Sequence, residues 1–193
     1  PLQDGDYPCI EGDQALWWVY NDDGPHGETS GEKMGIQVES MAYSYDCSAT
    51  QCPDSFLDYT TLYHHEITNK SEKDYVEVYV GLWMDVDLGG FSDDFIGSDS
   101  SIGLGYVYNG DNDDDAPFNQ TTHYGLNPPA LGMVMLDNGD LQGGTNFMSY
   151  NNDFTVMGNP DMPVHYYNYL QSRWKDGSHL VNNGGDGYSG TQA

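Results

Sequence analysis

Residues 14–20 read QALWWVY, a dense apolar run that ends at the loop sequence NDDGP of residues 21–25. An apolar run of this length, bounded by Asn, Asp, Gly and Pro, is typical of a buried β-strand. Residues 34–46 alternate apolar and polar side chains, and a change of phase near Glu39 and Ser40 predicts a β-bulge. We therefore expect this part of the chain to form two β-strands.

The strand pattern continues beyond this region. Residues 56–68 and 75–84 both alternate, and the short polar segment 69–74 between them predicts an antiparallel hairpin. Residues 102–108 and 131–136 are two more predicted strands. These elements favour an all-β, mainly antiparallel β-sandwich or jelly roll, with one C-terminal α-helix.

The single predicted helix covers residues 161–177. Asp161 is placed to cap it, Pro163 lies in its first turn, and Arg173 and Lys175 lie in its last turn, where the helix dipole favours cations. The chain of 193 residues has the length of one ordinary domain. We expect a single β-sandwich domain at residues 1–181, followed by a Gly-rich tail or linker at residues 182–193.

The charge of the chain excludes several classes of function. Five Lys and Arg stand against 31 Asp and Glu, which gives a formal net charge of −26. So few cations cannot form a basic face for phosphates, so no nucleic-acid partner is expected. No apolar run approaches the roughly 18–20 residues that span a bilayer, so direct membrane insertion is not expected either.

The most informative acidic segment is residues 83–99, WMDVDLGGFSDDFIGSD. It carries five carboxylates that would repel one another without a cation or solvent between them. Calcium takes about 6–8 oxygen ligands and tolerates irregular loops. The segment therefore predicts a calcium site, with a solvated acidic loop as the alternative. Its candidate ligands are Asp85, Asp87, Asp93, Asp94 and Asp99.

A second acidic cluster, NGDNDDD at residues 109–115, invites comparison with an EF-hand loop. The comparison fails, because Ala116 stands where the loop needs Gly and Thr122 stands where it needs Glu. A solvated loop is the favoured interpretation here, and a second metal loop is the alternative. Its candidate ligands are Asn109, Asp111 and Asp113.

The cysteines predict a local disulfide. Cys47 and Cys52 enclose four residues, which suits a bridge across a loop, and Cys9 is then left with an outside partner or as a buried free thiol. Three tryptophan rings are candidates for stacking on sugars, against the alternative that they belong to the core: Trp17, Trp18 and Trp83. No catalytic residue is predicted, since no nucleophile motif such as G-x-S-x-G is present.

Several strings together resemble a module of large exported, cell-surface proteins of Bacteroidetes-type bacteria, which usually end in a type IX secretion sorting domain. They are GDQALWWVYND (12–22), GLWMDVDLGGFSDDFIGSD (81–99), LGYVYNGD (104–111), YGLNPPALGMVML (124–136), MSYNND (148–153) and YYNYLQSRWKDG (166–177). The resemblance specifies a module and no activity. It implies an extracellular, calcium-stabilised β-module of a longer polypeptide. No sorting domain follows in this sequence, so we expect a mature or excised piece.

Three functions are consistent with these features. The first is a non-catalytic surface module with bound Ca²⁺, used in adhesion, as a stalk or as a subunit of a surface fibre, whose partners are other domains or subunits of the same assembly. The second is a carbohydrate-binding module with glycan partners. The third is a glycoside hydrolase that uses acidic residues, although among 31 acids some pair always has a suitable separation.

Overall fold

The computed structural model describes residues 10–48, 55–115, 123–136, 144, 146–182 and 191–192. The chain divides into two compact units, Pro1–Val76 and Glu77–Ala193. The predicted single domain at residues 1–181 stays a prediction, and most of the predicted tail lies outside the described residues.

The first unit contains a three-stranded antiparallel sheet. Its strands are β1 (Gln14–Asn21), β2 (Ile36–Ser44) and β3 (Leu62–Asn69), and β2 lies in the middle. The ladder of β2 with β1 and its ladder with β3 both run without a break in register. Ser40 and Ala42 are the buried residues of β2, at the centre of the sheet. The strand predicted at residues 14–20 is thus confirmed, but its predicted burial is wrong, since Trp17 is 61% exposed. The predicted bulge near Ser40 is also wrong.

The partner of β3 differs from the prediction. Residues Ser55–Tyr59 form a 3-10 turn, so the strand begins only at Leu62 and pairs with β2. Residues 75–84 form no strand, and the predicted hairpin is wrong. Glu77 has a φ of 54°, in the left-handed region, which interrupts an extended conformation. Alternation in the sequence shows which side chains share a face, but it does not identify the neighbouring strand.

The second unit contains the sheet that positions the acidic residues. It consists of β4 (Asp94–Asp99), β5 (Leu104–Asn109) and β8 (Ala130–Val134), with β5 in the middle and both pairs antiparallel. Two further strands, β6 (Asp113–Asp114) and β7 (Gly125–Leu126), form a short antiparallel pair. The predicted strands at residues 102–108 and 131–136 correspond to β5 and β8. The segment of β4 was expected to be a loop.

The helix is shorter than predicted. Helix α1 spans Pro163–Leu170, and Met162 precedes it without a side-chain cap. Asp161 lies instead beside His165, with Oδ1 at 2.6 Å from Nδ1, and beside Lys175, with Oδ2 at 3.6 Å from Nζ. The expectation that Asp161 caps the helix is therefore wrong, and Lys175 lies beyond its end. Within the described part of the chain, no helix is long and apolar enough to cross a bilayer.

The fold class is confirmed in its coarse form. The described residues form mainly antiparallel β-strands in three small sheets, with one short C-terminal helix. An additional two-residue ladder joins β9 (Val181–Asn182) and β10 (Thr191–Gln192). The ladders among the described residues do not by themselves define a closed sandwich or jelly roll, and that finer arrangement stays a prediction.

Candidate metal site

The five aspartates of the first acidic segment do not all lie together. Asp85 and Asp87 are exposed on an irregular segment that leads to the buried Leu88. Asp93 ends a 3-10 turn and Asp94 begins β4. Asp99 ends β4, five residues further on, which corresponds to roughly 16 Å along a strand. One ion with ligands at about 2.3–2.6 Å cannot bind both Asp94 and Asp99 in this arrangement.

Asp94 is surrounded by other carboxylates. Its Oδ2 accepts a hydrogen bond from the backbone N–H of Leu88 at 2.8 Å. Burial raises the pKa of Asp94, the Leu88 bond lowers it, and the charges of Asp93, Asp114 and Asp87 raise it further, so that the net shift is upward. The charges of Asp87, Asp93 and Asp114 thus all act on Asp94, and Asp114 is not among the ligands predicted from the sequence.

Asp114 is the most buried of these acids. Its side chain has no exposed surface, and it lies on the short strand β6. Oδ1 accepts a hydrogen bond from the backbone N–H of Gly90 at 2.8 Å, and Oδ2 accepts one from the N–H of Tyr124. Two main-chain donors thus compensate part of the cost of removing this carboxylate from water.

Two glycines allow the turn at Leu88 to approach Asp114. Gly89 has a φ of +76°, and a Cβ on it would lie 2.0 Å from Asp114 Oδ2. A Cβ on Gly90 would lie 2.3 Å from the carbonyl oxygen of Asp115. Only glycine fits at either position. The Gly-Gly pair within the acidic segment was the signal in the sequence that a buried group approaches the backbone here.

Asn109 connects the second acidic cluster to the first. It pairs with Asp94 across β4 and β5, and it is only 7% exposed. Its Nδ2 donates to the carbonyl oxygen of Asp111 at 3.2 Å, while its Oδ1 is buried without a hydrogen-bond partner. The Oδ1 atoms of Asp93 and Asp94 are also buried without a hydrogen-bond partner. Three buried oxygen acceptors from two segments of the chain therefore lack a donor.

The remaining candidates of the second cluster lie outside this group. Asp111 Oδ1 accepts a hydrogen bond from the backbone N–H of Asp113 at 2.8 Å, as in an ordinary Asx turn. Both Asp111 and Asp113 are exposed. Asp99 is used in a similar way, since its Oδ1 accepts from the N–H of Ser101 at 2.9 Å and from its hydroxyl at 2.6 Å.

Carboxylates alone do not complete a metal site. Within the ranges that the structure describes, no group of three or more His, Cys, Asp or Glu side chains is arranged to hold a metal ion. A site in this region would therefore need further oxygen ligands besides the carboxylates, and the unpartnered Oδ1 of Asn109 is available as one. Such an all-oxygen set suits a hard cation such as calcium and does not suit zinc, which prefers nitrogen and sulfur ligands.

The predicted disulfide and stacking residues lie elsewhere. Cys47 is disulfide-bonded, and Cys52, its predicted partner, lies outside the described residues, as does Cys9. Trp17 is 61% exposed and Trp83 is 65% exposed. Trp17 and Trp18 are neighbours on β1, so their rings point to opposite faces of the sheet and cannot form one platform.

Comparison with protein-family models, with curated proteins and with solved structures finds no match to this chain.

Proposed function

We propose that this chain is a non-catalytic, calcium-stabilised β-module of an exported cell-surface protein. It serves in adhesion, as a stalk element or as a subunit of a surface fibre, and its partners are other domains or subunits of the same assembly. The resemblance to modules of type IX secretion substrates and the sandwich or jelly-roll arrangement of its sheets belong to the same proposal.

The observation that carries the proposal is the acidic group around Asp94, where the Oδ1 atoms of Asp93, Asp94 and Asn109 have no hydrogen-bond partner. Burial of the Asp94 carboxyl and the charges of Asp93, Asp114 and Asp87 all disfavour its ionised form. The chain has only five Lys and Arg for 31 acids, so it cannot supply counter-charges at every such cluster. A cation from the surroundings supplies the missing charge, and the oxygen donors favour calcium over softer metals.

The disulfide at Cys47 supports the extracellular location. Disulfides persist in oxidising surroundings and are rare in reducing cytosol. An acidic surface is also compatible with salty, calcium-containing surroundings, where the charge is screened within about 8 Å at physiological ionic strength.

The test is thermal unfolding at constant ionic strength, with calcium and with a chelator. Calcium that binds only the folded protein stabilises it by about 2.7 kcal/mol at a hundred times Kd. For a chain of this length the expected rise in Tm is roughly 5–10 °C. Magnesium is the matched control, and we expect a smaller shift because it dehydrates reluctantly and demands octahedral geometry. A Tm that is the same in calcium and in chelator would contradict the proposal.

A second candidate function, glycan binding, is favoured by one face of the first sheet. Trp18, Ser40 and His65 lie opposite one another across β1, β2 and β3 and so share a face. Ser40 is buried and bonds to His65 at 2.8 Å, whereas the neighbouring Tyr63, stacked on His65, is 59% exposed. The exposed rings on this face are surfaces of the kind on which sugar rings stack.

A glycan array followed by affinity measurements tests this second function. We expect Trp18→Ala to weaken binding of any glycan that the array identifies. Trp17→Ala is the matched control, because Trp17 lies on the opposite face of the same strand. An array without hits, or equal losses in the two variants, would count against this function.

A further inference from the structure

Three buried side-chain oxygens without a hydrogen-bond partner belong to residues at one end of the ladder of β4 and β5. Among the described residues, the Oδ1 atoms of Asp93, Asp94 and Asn109 have no partner, and the only other such atom is the hydroxyl of Ser172. Buried polar atoms are nearly always paired, so several unpaired oxygens on neighbouring residues indicate a bound cation or water.

The strand register places two of these side chains on one face of the sheet. Asp94 and Asn109 are directly opposite in the antiparallel ladder of β4 and β5, and side chains of such a pair point to the same face, about 4.5–5.5 Å apart at Cβ. The backbone of Asp93 is fixed at the same end of the ladder, because its carbonyl oxygen accepts a hydrogen bond from the N–H of Gly110 at 2.7 Å. Asn109 is only 7% exposed, so it is more than nine-tenths buried.

Backbone donors leave one oxygen of Asp94 available. Oδ2 is occupied by the Leu88 N–H, while Oδ1 has no partner. Asp114 differs, since both of its oxygens accept from main-chain N–H groups of Gly90 and Tyr124. Asp114 therefore holds the turn that carries Leu88, and Leu88 in turn orients Asp94.

We propose that the two acidic segments form one calcium site, in which Asp93, Asp94 and Asn109 each contribute their Oδ1 atom. Asp114 is a positioning residue for this site. Asp87, exposed and close to Asp94, lies at its rim, and water completes the 6–8 oxygens that calcium takes. Asp85, Asp99, Asp111 and Asp113 are not ligands. The inference rests on the proposed calcium-stabilised function and specifies where its ion binds.

Calcium titration by isothermal calorimetry, at constant ionic strength and on the full chain, tests the ligand set. We expect Asp94→Asn and Asn109→Leu to weaken calcium binding about tenfold or more. The matched controls are Asp99→Asn and Asp111→Asn, which remove charges from the same two segments without touching the proposed ligands. These two variants should bind calcium within about twofold of the wild type.

Asn109→Asp keeps the test decisive if a ligand-removing variant fails to fold. An added carboxylate beside Asp94 should tighten calcium binding several-fold and lower the Tm of the calcium-free protein, because it adds a ligand charge and increases repulsion without calcium. A merely structural role for Asn109 predicts no gain in affinity. Unchanged affinity in Asn109→Asp, or a larger loss in Asp99→Asn than in Asp94→Asn, would overturn the ligand set while calcium binding itself persisted. A wild type without a calcium signal would overturn the proposed function as well.

Discussion

Asp22 and Asp94 are two partly buried carboxylates that the fold treats in opposite ways. Asp22 follows β1 and accepts hydrogen bonds from the backbone N–H groups of Ile36 at 2.9 Å and Gly35 at 3.0 Å, and also from Met34. Burial raises the pKa of Asp22, but the bonds from Met34, Ile36 and Gly35 together outweigh burial and lower the pKa.

The two sites differ in the groups around the carboxylate, which are mainly N–H donors at Asp22 and include negatively charged carboxylates at Asp94. Asp94 has one backbone donor, from Leu88, and its other neighbours are carboxylates, so its pKa is raised by burial and by Asp93, Asp114 and Asp87. A carboxylate that accepts several N–H bonds is stabilised as an anion, whereas one near other carboxylates is stabilised by a cation or by taking up a proton. Aspartate is abundant throughout this chain, so abundance alone cannot distinguish a turn former from a ligand.

The largest effect is expected at Asp114. Asp114→Ala leaves the buried N–H groups of Gly90 and Tyr124 without acceptors, at about 1–3 kcal/mol each. We expect the free energy of unfolding to fall by about 2–5 kcal/mol in chemical denaturation. Asp113→Ala, the exposed neighbour, is the control and should change stability little. Equal losses in both variants would contradict the positioning role of Asp114.

The next effect is a calcium-dependent change at Asp94. Asp94→Asn keeps an acceptor for Leu88 but removes a charge from the cluster, so the calcium-free variant should be as stable as the wild type or more stable. If calcium then binds tenfold more weakly, its stabilisation falls by about 1.4 kcal/mol at saturating calcium. Paired denaturation curves in calcium and in chelator measure this difference. A loss of stability that is the same in both conditions would remove the contrast with Asp22.

Asp22→Ala should destabilise the protein to the same extent with and without calcium. It removes the acceptor of three main-chain N–H groups, but water reaches this partly exposed site and replaces some of the lost bonds. We therefore expect a loss of about 1 kcal/mol. Asp23→Ala is the control, since Asp23 is exposed beside it. Dependence of the loss on calcium would show that Asp22 also belongs to a cation site.

The smallest effect is the pH dependence of the Asp22 contribution. The pKa of Asp22 is lowered in the folded protein from its ordinary value of 3.8. The unfolded chain therefore takes up this proton at a higher pH than the folded protein does. The stability that Asp22 supplies is thus fully present above that value and is lost as the pH falls through the lowered pKa. The difference in unfolding free energy between wild type and Asp22→Asn should shrink as the pH falls from about 5 to 2. A difference that stays constant over this range would contradict the lowered pKa of Asp22.

The strands could be predicted in part, because apolar patterns and the loop-forming residues that bound them are local features of the sequence. The apolar segments at residues 14–20, 104–109 and 130–134 have the length of strands and are bounded by loop-forming residues. Residues 75–84 alternate as a half-buried strand would and yet form no strand, because pairing depends on a neighbour that the pattern does not identify. The helix ended early at Leu170, and Ser172, with a φ of 54°, lies just beyond it.

The candidate site could be predicted as a region but not as a set of ligands. Asp93 and Asp94 were identified within the acidic segment, and Asn109 was assigned to a separate loop. Asp114 was missed because its neighbours in sequence are also acidic, and nothing local distinguishes the buried residue from the exposed Asp113 and Asp115.

The sequence alone determined that this chain is strongly acidic, with 31 acids and five cations, so its own cations cannot neutralise most of its carboxylates. It also indicated several of the strands, because apolar runs bounded by loop-forming residues are local signals. Only the tertiary structure decided which acids meet. The antiparallel register places Asn109 opposite Asp94 and leaves Asp99 at the other end of β4, and register depends on contacts between segments that are distant in sequence.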